Sequence, residues 1–286
     1  MSFKDLLKEK LKGKINEDLL QILPNGYQKI GDIIILSLNE DLRDFEKEIG
    51  EAVLETGNGK VRSVCMKTGG VVGEMRKPQI KVIAGDKNTE VCHFENNVYF
   101  IFDVSKIMFA KGNVAERGRL PKQVGKDEII VDMFTGIGYF TVPIAKIGRP
   151  EKIYAIELNP DSVKYLKKTI EKNKLENVEV IQGDSKEEVE KLVEKGIKAD
   201  RVLLGYLPPP IEFVRYAMKI IKKCGLIHYD DLIYSGNKEK DIEKTMGMFE
   251  EEAKIAGFKR VELVNAQKVK SYRPKVDHYV LDIKVI

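Results

Sequence analysis

The pattern of apolar and polar positions changes rhythm near residue 120. Before that point short apolar runs recur between turn residues: KIGDIIIL (29–36), VRSVCM (61–66), QIKVI (79–83), EVCHF (90–94) and NVYFIF (97–102). Such runs predict strands, and ENN (95–97) between the last two predicts a hairpin turn. One stretch with helical spacing, DLRDFEKEIGEAV (41–53), interrupts them. The reading is an α+β module over 26–122, preceded by an amphipathic helix and linker over 1–25.

Beyond it, strand-like runs at 129–134, 152–157, 178–182 and 200–204 alternate with helical stretches at 139–147, 160–173, 185–195 and 211–223. That alternation predicts βαβ units, hence a parallel sheet with helices on both faces. A strand at 225–230, a helix at 237–256 and a closing pair near 258–269 and 277–285 complete a domain over 123–286. The last segment reads as an inserted or edge strand. The fold class is therefore α/β, a Rossmann-like sheet preceded by a smaller α+β module.

Composition narrows the setting. With 286 residues, 43% of them hydrophobic and 33% charged, the chain can bury a large core and reads as a soluble globular protein. It contains no apolar run of about 18 residues, so no membrane association is expected. MSFKDLLKEKLKGKI at the start is too charged for a signal peptide. Three cysteines, Cys65, Cys92 and Cys224, are odd in number and widely spaced. They argue against a disulfide framework or a metal site and for the reducing cytoplasm. The net charge of +4 neither demands nor excludes a nucleic-acid partner. The oligomeric state stays open, a monomer included.

Candidate chemistry begins at VDMFTGIGYF (131–140), where the first strand of the second domain meets its first helix. Gly136 and Gly138 let the backbone turn sharply and approach a ligand. The third glycine of a dinucleotide fingerprint is missing, so a pyrophosphate is not the expected ligand. Asp132-x-Phe134-Thr135-Gly136-x-Gly138 is instead the form associated with S-adenosylmethionine (SAM), whose ammonium group suits a nearby acid. Glu157 closes the second strand, where a carboxylate suits a ribose diol, and Leu158 follows it. Asp184 and Ser185 close the third strand, where an Asp commonly accepts the adenine amine. Asp184 serves equally well as the N-cap of the helix at 185. LGYLPPP (204–210) closes the fourth strand, with Tyr206 and Leu207 standing where enzymes that methylate a base amine often place Asn or Asp. All four elements lie at carboxyl ends of one sheet, giving a class-I SAM-dependent fold.

The first half then acquires meaning. LPNGYQKIGDIII (23–35), the RKP…IAG segment (76–85), FENNVYFIFD (94–103) and KIMFAKGNVAERGRL (106–120) follow in order before the SAM half. Together they resemble the tRNA enzymes that modify the guanosine beside the anticodon. That family includes guanine-N1 methyltransferases and wybutosine-synthesising aminocarboxypropyltransferases. The methyltransferases typically carry Asn-Leu-Pro where this chain has Tyr206-Leu207-Pro208, and usually a further N-terminal domain. Both departures resemble the aminocarboxypropyl branch in its short archaeal-type form. A Ser often found after Phe109 is Ala110 here, so a ligand contact at that position would come from backbone.

The resemblance implies transfer of the 3-amino-3-carboxypropyl group of SAM to C7 of a 4-demethylwyosine-type base at position 37 of tRNA-Phe. Methylthioadenosine would be released. The acceptor is a ring carbon with no amine to hold, which suits Tyr206 and Leu207 better than an amide. Arg117 is expected to grip the transferred carboxylate, since guanidinium and carboxylate pair bidentately. A tRNA phosphate or surface ion pair is its other use, and that of Arg119. Glu128 aligns with a carboxylate used as a base in the methyltransferases. The cofactor site is expected to draw on Phe109, Ala110, Arg117, Asp132, Phe134, Thr135, Gly136, Gly138, Glu157, Leu158, Asp184, Ser185 and Pro208. His228 reads as a packed histidine, and His93 and His278 as belonging to sheet surfaces. Arg76–Pro78, Lys106, Lys111, Lys122, Lys126 and 269–275 are candidates for a basic track along the anticodon arm. The alternatives are a tRNA guanosine-37 N1-methyltransferase and a non-catalytic tRNA-binding protein that keeps the SAM fold.

Overall fold

The apolar run at 29–36 gives two strands, not one, in the computed structural model, because Gly31 turns the chain at φ +56°. The structure describes residues 1–73 and 75–286, with the backbone alone at Lys111. Two compact units result, Met1–Glu95 with Tyr99–Phe109, and Asn96–Val98 with Ala110–Ile286.

The first unit opens with α1 (Phe3–Leu11), whose Ser2 and Asp5 cap each other reciprocally, and α2 (Glu17–Gln21), capped by Asn16. The strands β1 (Gln28–Ile30) and β2 (Ile33–Leu36) lead to α3 (Glu46–Thr56), then β3 (Ser63–Lys67) and β4 (Ile80–Gly85). β2 and β3 run parallel across α3, while β1 and β4 add antiparallel edges. Leu7 and Leu11 of α1 and Ile49 and Val53 of α3 pack with Ile34, Leu36 and Val64 of the sheet. Each such fully buried aliphatic contributes roughly 1.5–3 kcal/mol relative to exposure. β5 (Glu90–Glu95) and β6 (Val98–Asp103) form a two-stranded ribbon. Its turn residues Asn96 and Asn97 both have positive φ, as the expected tight hairpin demands.

The second unit contains α4 (Val114–Arg119), β7 (Ile129–Asp132), a short α5 (Thr141–Pro143), β8 (Lys152–Glu157), α6 (Pro160–Asn173), β9 (Val178–Gln182), α7 (Ser185–Glu194), β10 (Ala199–Leu204), α8 (Val214–Ile220), β11 (Ile221–Tyr234), α9 (Lys238–Ile255), β12 (Val261–Arg273) and β13 (Val276–Val285). Two expectations shift here. The helix expected over 139–147 is three α-helical residues followed by a π-helical turn, Ile144–Gly148, closed by the Arg149 amide donating to the Ile144 carbonyl at 3.1 Å. The helix expected to reach 223 stops at Ile220, and residues 221–234 form one long strand.

The sheet order is β12-β13-β11-β10-β7-β8-β9. Six strands run in one direction, and β13 alone inserts antiparallel, between β11 and β12. The chain winds from β7 out to β9 and then returns to place β10 on the other side of β7. That reversal opens a crevice at the carboxyl ends of β7 and β10, where ligands bind in such sheets. Val131, Val202, Leu204, Ile227, Leu281 and Phe249 fill one layer. Leu120, Ile130, Phe140, Ile144, Ile153 and Leu203 fill the other.

Candidate active site

Asp132 ends β7 and is 1% exposed. Its Oδ2 accepts from Thr141 Oγ1 at 2.6 Å and its Oδ1 from the Phe134 amide at 3.2 Å. Burial pushes its carboxyl up to about 6, against the hydrogen bonds from Thr141 and Phe134, and the Glu157 charge adds to the rise. A cation placed against such an acid favours its ionised form, and the proton then leaves to solvent. Thr135 Oγ1 and Thr141 Oγ1 lie 2.8 Å apart, tying the loop to the turn that follows.

Gly136 and Gly138 have φ of +58° and +89°. A Cβ at Gly138 would lie 2.5 Å from Val142 Cγ2, and one at Gly136 2.6 Å from the Tyr139 ring. Only glycine fits this turn. The Gly136 amide donates to Glu157 Oε2 at 2.8 Å, and the Asn159 amide to Oε1 at 2.7 Å. Burial raises the Glu157 carboxyl, and these amides hold it back. One carboxylate thus joins the glycine loop to the start of α6 and keeps further lone pairs for a diol. Leu158 beside it is exposed.

Asp184 caps α7 through the Lys186 amide at 2.8 Å, the second use that its position allowed. Its Oδ2 has no hydrogen bond among the described residues, which leaves an acceptor at the helix start. Ser185 is buried, its Oγ donating to the Met133 carbonyl. At the end of β10, Gly205 brings the backbone against Phe140, with a built Cβ 3.1 Å from Cε2. Tyr206 then stacks on Phe134 of the glycine loop, ring centroids 5.2 Å apart and planes 27° from parallel. Phe213 meets the same Phe134 edge-on at 4.7 Å, and Lys186 Nζ sits 4.8 Å from the Phe213 centroid. The reading from sequence missed Phe213, whose only signal was an aromatic residue just past the proline run. Pro208 is exposed and Leu207 buried.

The remaining expected residues fall in three places. The Phe109 side chain packs within the first unit, stacked on Phe102 at 5.0 Å and edge-on to Phe100 and His93. Ala110 opens the second unit, and its carbonyl accepts from Arg117 Nη1 at 3.2 Å. Arg117 itself is 1% exposed, so it faces the protein interior. Glu128 precedes β7, with Arg201 Nε and Nη2 donating to its two oxygens at 2.7 and 3.0 Å and the Gly125 amide to Oε1 at 2.8 Å.

His278 is not on a sheet surface. It is buried, with Nε2 3.0 Å from Asp230 Oδ2 on the neighbouring β11. His93 is half-buried, and its Nδ1 accepts the Gly31 amide. Of the basic candidates, Lys122, Lys126, Arg273 and Lys275 are exposed, whereas Lys270 donates to Asn113 Oδ1 at 2.9 Å. The Lys111 side chain lies outside the described residues. Among the described residues no helix is long and apolar enough to cross a membrane.

Residues 91–264 match the family described as the TRM5/TYW2 methyltransferase domain, and residues 7–89 match the TYW2 N-terminal domain. The chain is similar to the tRNA(Phe) (4-demethylwyosine(37)-C(7)) aminocarboxypropyltransferase of Methanocaldococcus jannaschii, 38% identical, covering 90% of this chain and 97% of that one. It is also similar to the tRNA (guanine(37)-N(1))-methyltransferase Trm5b of Pyrococcus abyssi, 33% identical over 95% of this chain and 78% of that one. Among solved structures, P. horikoshii TYW2 in complex with MeSAdo superposes with a TM-score of 0.82 at 31% identity, covering 99% of both chains.

Proposed function

The chain belongs to the TRM5/TYW2 methyltransferase-domain family, and from that premise we propose that it is a tRNA aminocarboxypropyltransferase. It moves the 3-amino-3-carboxypropyl group of SAM to C7 of a 4-demethylwyosine-type base at position 37 of tRNA-Phe, in the cytoplasm. The observation that carries this reading is the stacked pair of Tyr206 and Phe134. The edge of β10 offers an aromatic face where amine methylation would call for an amide or carboxylate.

The donor fits the residues present. The glycine turn leaves room that a Cβ would fill, and three carboxylates, Asp132, Glu157 and Asp184, lie at successive strand ends. SAM supplies an electrophilic γ-carbon: the acceptor carbon bonds to it as the C–S bond breaks, the electron pair leaves on sulfur in methylthioadenosine, and the acceptor carbon gives up its proton. In this reading Asp132 faces the ammonium, Glu157 takes the ribose hydroxyls and Asp184 the adenine amine. Phe134, Leu158 and Pro208 form the apolar walls, while Thr135 and Ser185 hold the strand ends in place. The backbone at Ala110, with Arg117 behind it, receives the carboxylate end of the transferred group. Glu128 is assigned the proton. Tyr206 orients the acceptor ring, and aiming one sulfonium carbon at it decides the product.

The similarity to Trm5b favours one other reading, N1-methylation of guanosine. A protein that binds tRNA without turnover is the third, and retention of the whole glycine loop with Glu157 and Asp184 speaks against it. Incubation with SAM and tRNA carrying either plain guanosine or the tricyclic precursor separates them. Methylthioadenosine from the precursor supports the transfer proposed here. S-adenosylhomocysteine from plain guanosine supports methylation, and release of neither supports binding alone.

A further inference from the structure

α4 is six residues long, too short to hold its shape alone, and its buried residues are Glu116 and Arg117. Its place in the fold is therefore set by charge. Arg119 donates from Nε and Nη2 to the Glu116 oxygens at 2.7 and 2.6 Å. It also donates from Nη1 and Nη2 to both Asp282 oxygens at 2.6 and 3.0 Å. Glu116 and Asp282 are each 2% exposed, so the guanidinium is clamped between two buried carboxylates.

The clamp continues across the sheet. Asp282 Oδ1 pairs with His228 Nδ1 at 2.5 Å, and Oδ2 accepts from Asn265 at 3.1 Å. His228 Nε2 meets Arg201 Nη1, and a guanidinium only donates, so the histidine proton sits on Nδ1 and points at Asp282. Arg201 in turn grips Glu128. Burial pushes the Asp282 carboxyl up, but the hydrogen bonds from His228 and Arg119 overcome it and hold the group well below the usual carboxylate range. A row of well-packed apolar side chains would serve stability as well, so stability alone does not account for this chain of charges. What bidentate pairing supplies is a fixed geometry.

Two details show which geometry is fixed. Asp132 pairs in register with Leu203, Leu203 with His228, and His228 with Asp282, so the acid of the glycine loop and the anchor of α4 stand at one level on the same sheet face. The front of the segment is pinned as well. Lys270 donates to Asn113, and a Cβ at Gly112 would lie 2.4 Å from Lys270 Cδ. Residues 112–119 are thus fastened to β12 and β13 at both ends, and the Arg117 to Ala110 bond folds the preceding residue onto them.

We propose that Asp282 and Arg119 are positioning residues: through α4 they set where Ala110 to Arg117 stands relative to the glycine loop, and so how the aminocarboxypropyl arm is aimed. This rests on the reading above that the 110–117 segment receives that arm. It makes the last strand of the chain part of the specificity apparatus without touching substrate.

The test compares SAM with methylthioadenosine, which lacks the arm, by calorimetry on full-length Asp282→Asn and Arg119→Lys proteins, with melting temperatures alongside. Loss of a charge-assisted anchor is expected to weaken SAM binding about tenfold while methylthioadenosine binds within about twofold of wild type. The transfer kcat should fall in both, and less in Arg119→Lys, which keeps the charge. Equal weakening of both ligands, or unchanged SAM affinity and kcat, would overturn the proposal. If Asp282→Asn fails to fold, the Arg119→Lys comparison decides. Wild-type release of S-adenosylhomocysteine in place of methylthioadenosine would count against the function assigned above, and the difference between the two ligands would still decide the anchoring.

Discussion

The Tyr206 ring lies stacked on Phe134, centroids 5.2 Å apart, so the end of β10 and the glycine loop present one continuous aromatic surface. In the role proposed above, the stacked Tyr206 ring is the platform for a planar base. Stacking of a base on an aromatic side chain is worth about 1–3 kcal/mol. Tyr206→Ala is therefore expected to lower kcat/KM for the tRNA substrate by roughly five- to 150-fold. Tyr206→Phe should retain most of it. A Phe variant as poor as the Ala variant would show that the hydroxyl, and not the face, is what matters.

Glu157 accepts the Gly136 and Asn159 amides and so shapes the loop, and the ribose contact proposed above would be its second task. Glu157→Gln keeps the size but removes the charge that a ribose diol would use. Hydrogen bonds to a charged group contribute about 1.5–3 kcal/mol, so SAM affinity should drop about 10- to 100-fold. Isothermal titration gives the answer directly, and unchanged affinity would remove Glu157 from the ribose role.

Much of this site was legible in the sequence because carboxyl ends of parallel strands declare themselves. A β-branched run stops, a glycine or acid follows, and a helix begins; Asp132, Glu157 and Asp184 all obey that rule. The hairpin at Asn96–Asn97 was legible for a similar local reason. The clamp formed by Glu116, Arg119, Asp282, His228 and Arg201 was not. Its members come from four separate elements, and α4 is joined to the His228–Arg201 pair through Asp282, once β13 lies beside β11. A faint signal was present in Arg201 within ADRVLL and Asp282 within HYVLDIKV, charges in runs otherwise fit for burial. Such a charge announces that it has a partner without saying where. The boundary between units at Phe109 and Ala110, where residue 122 was expected, is obscured for the same reason: α4 follows the α+β segment in sequence and is held by charges on the last strands.

Glu128 offers a sharp choice between two uses. Arg201 and the Gly125 amide already occupy both oxygens, as a structural anchor requires. Glu128→Gln should abolish transfer with little change in melting temperature if the group accepts the proton. If it anchors Arg201, the loss of a charged hydrogen bond should cost about 1.5–3 kcal/mol of stability, several degrees in Tm, with transfer largely kept.

Arg117 is buried and bonded to the Ala110 carbonyl, so its removal reaches the loop before it reaches any ligand. Arg117→Lys keeps a charge but not the fork that a carboxylate pairs with bidentately. The variant is expected to bind methylthioadenosine normally and SAM at least several-fold more weakly. Wild-type binding of SAM together with a wild-type transfer rate would refute the carboxylate assignment.

Asp132 gives the donor site its own pH dependence. Burial lifts its carboxyl to about 6, above the ordinary aspartate value of 3.8, so in the ligand-free protein the protonated form gains. The stability this group contributes is fully present below that ordinary value and is lost as pH rises through about 6. A cation bound against Asp132 needs the ionised form. Below pH 6, binding of SAM must therefore expel a proton, and its affinity should fall by up to about tenfold for each further pH unit. Methylthioadenosine carries no ammonium and should show no such slope, which separates Asp132 from a general acid unfolding of the site. Asp132→Asn should flatten the SAM profile between pH 5 and 7 at a uniformly lower affinity. A wild-type slope in that variant would place the titrating group elsewhere.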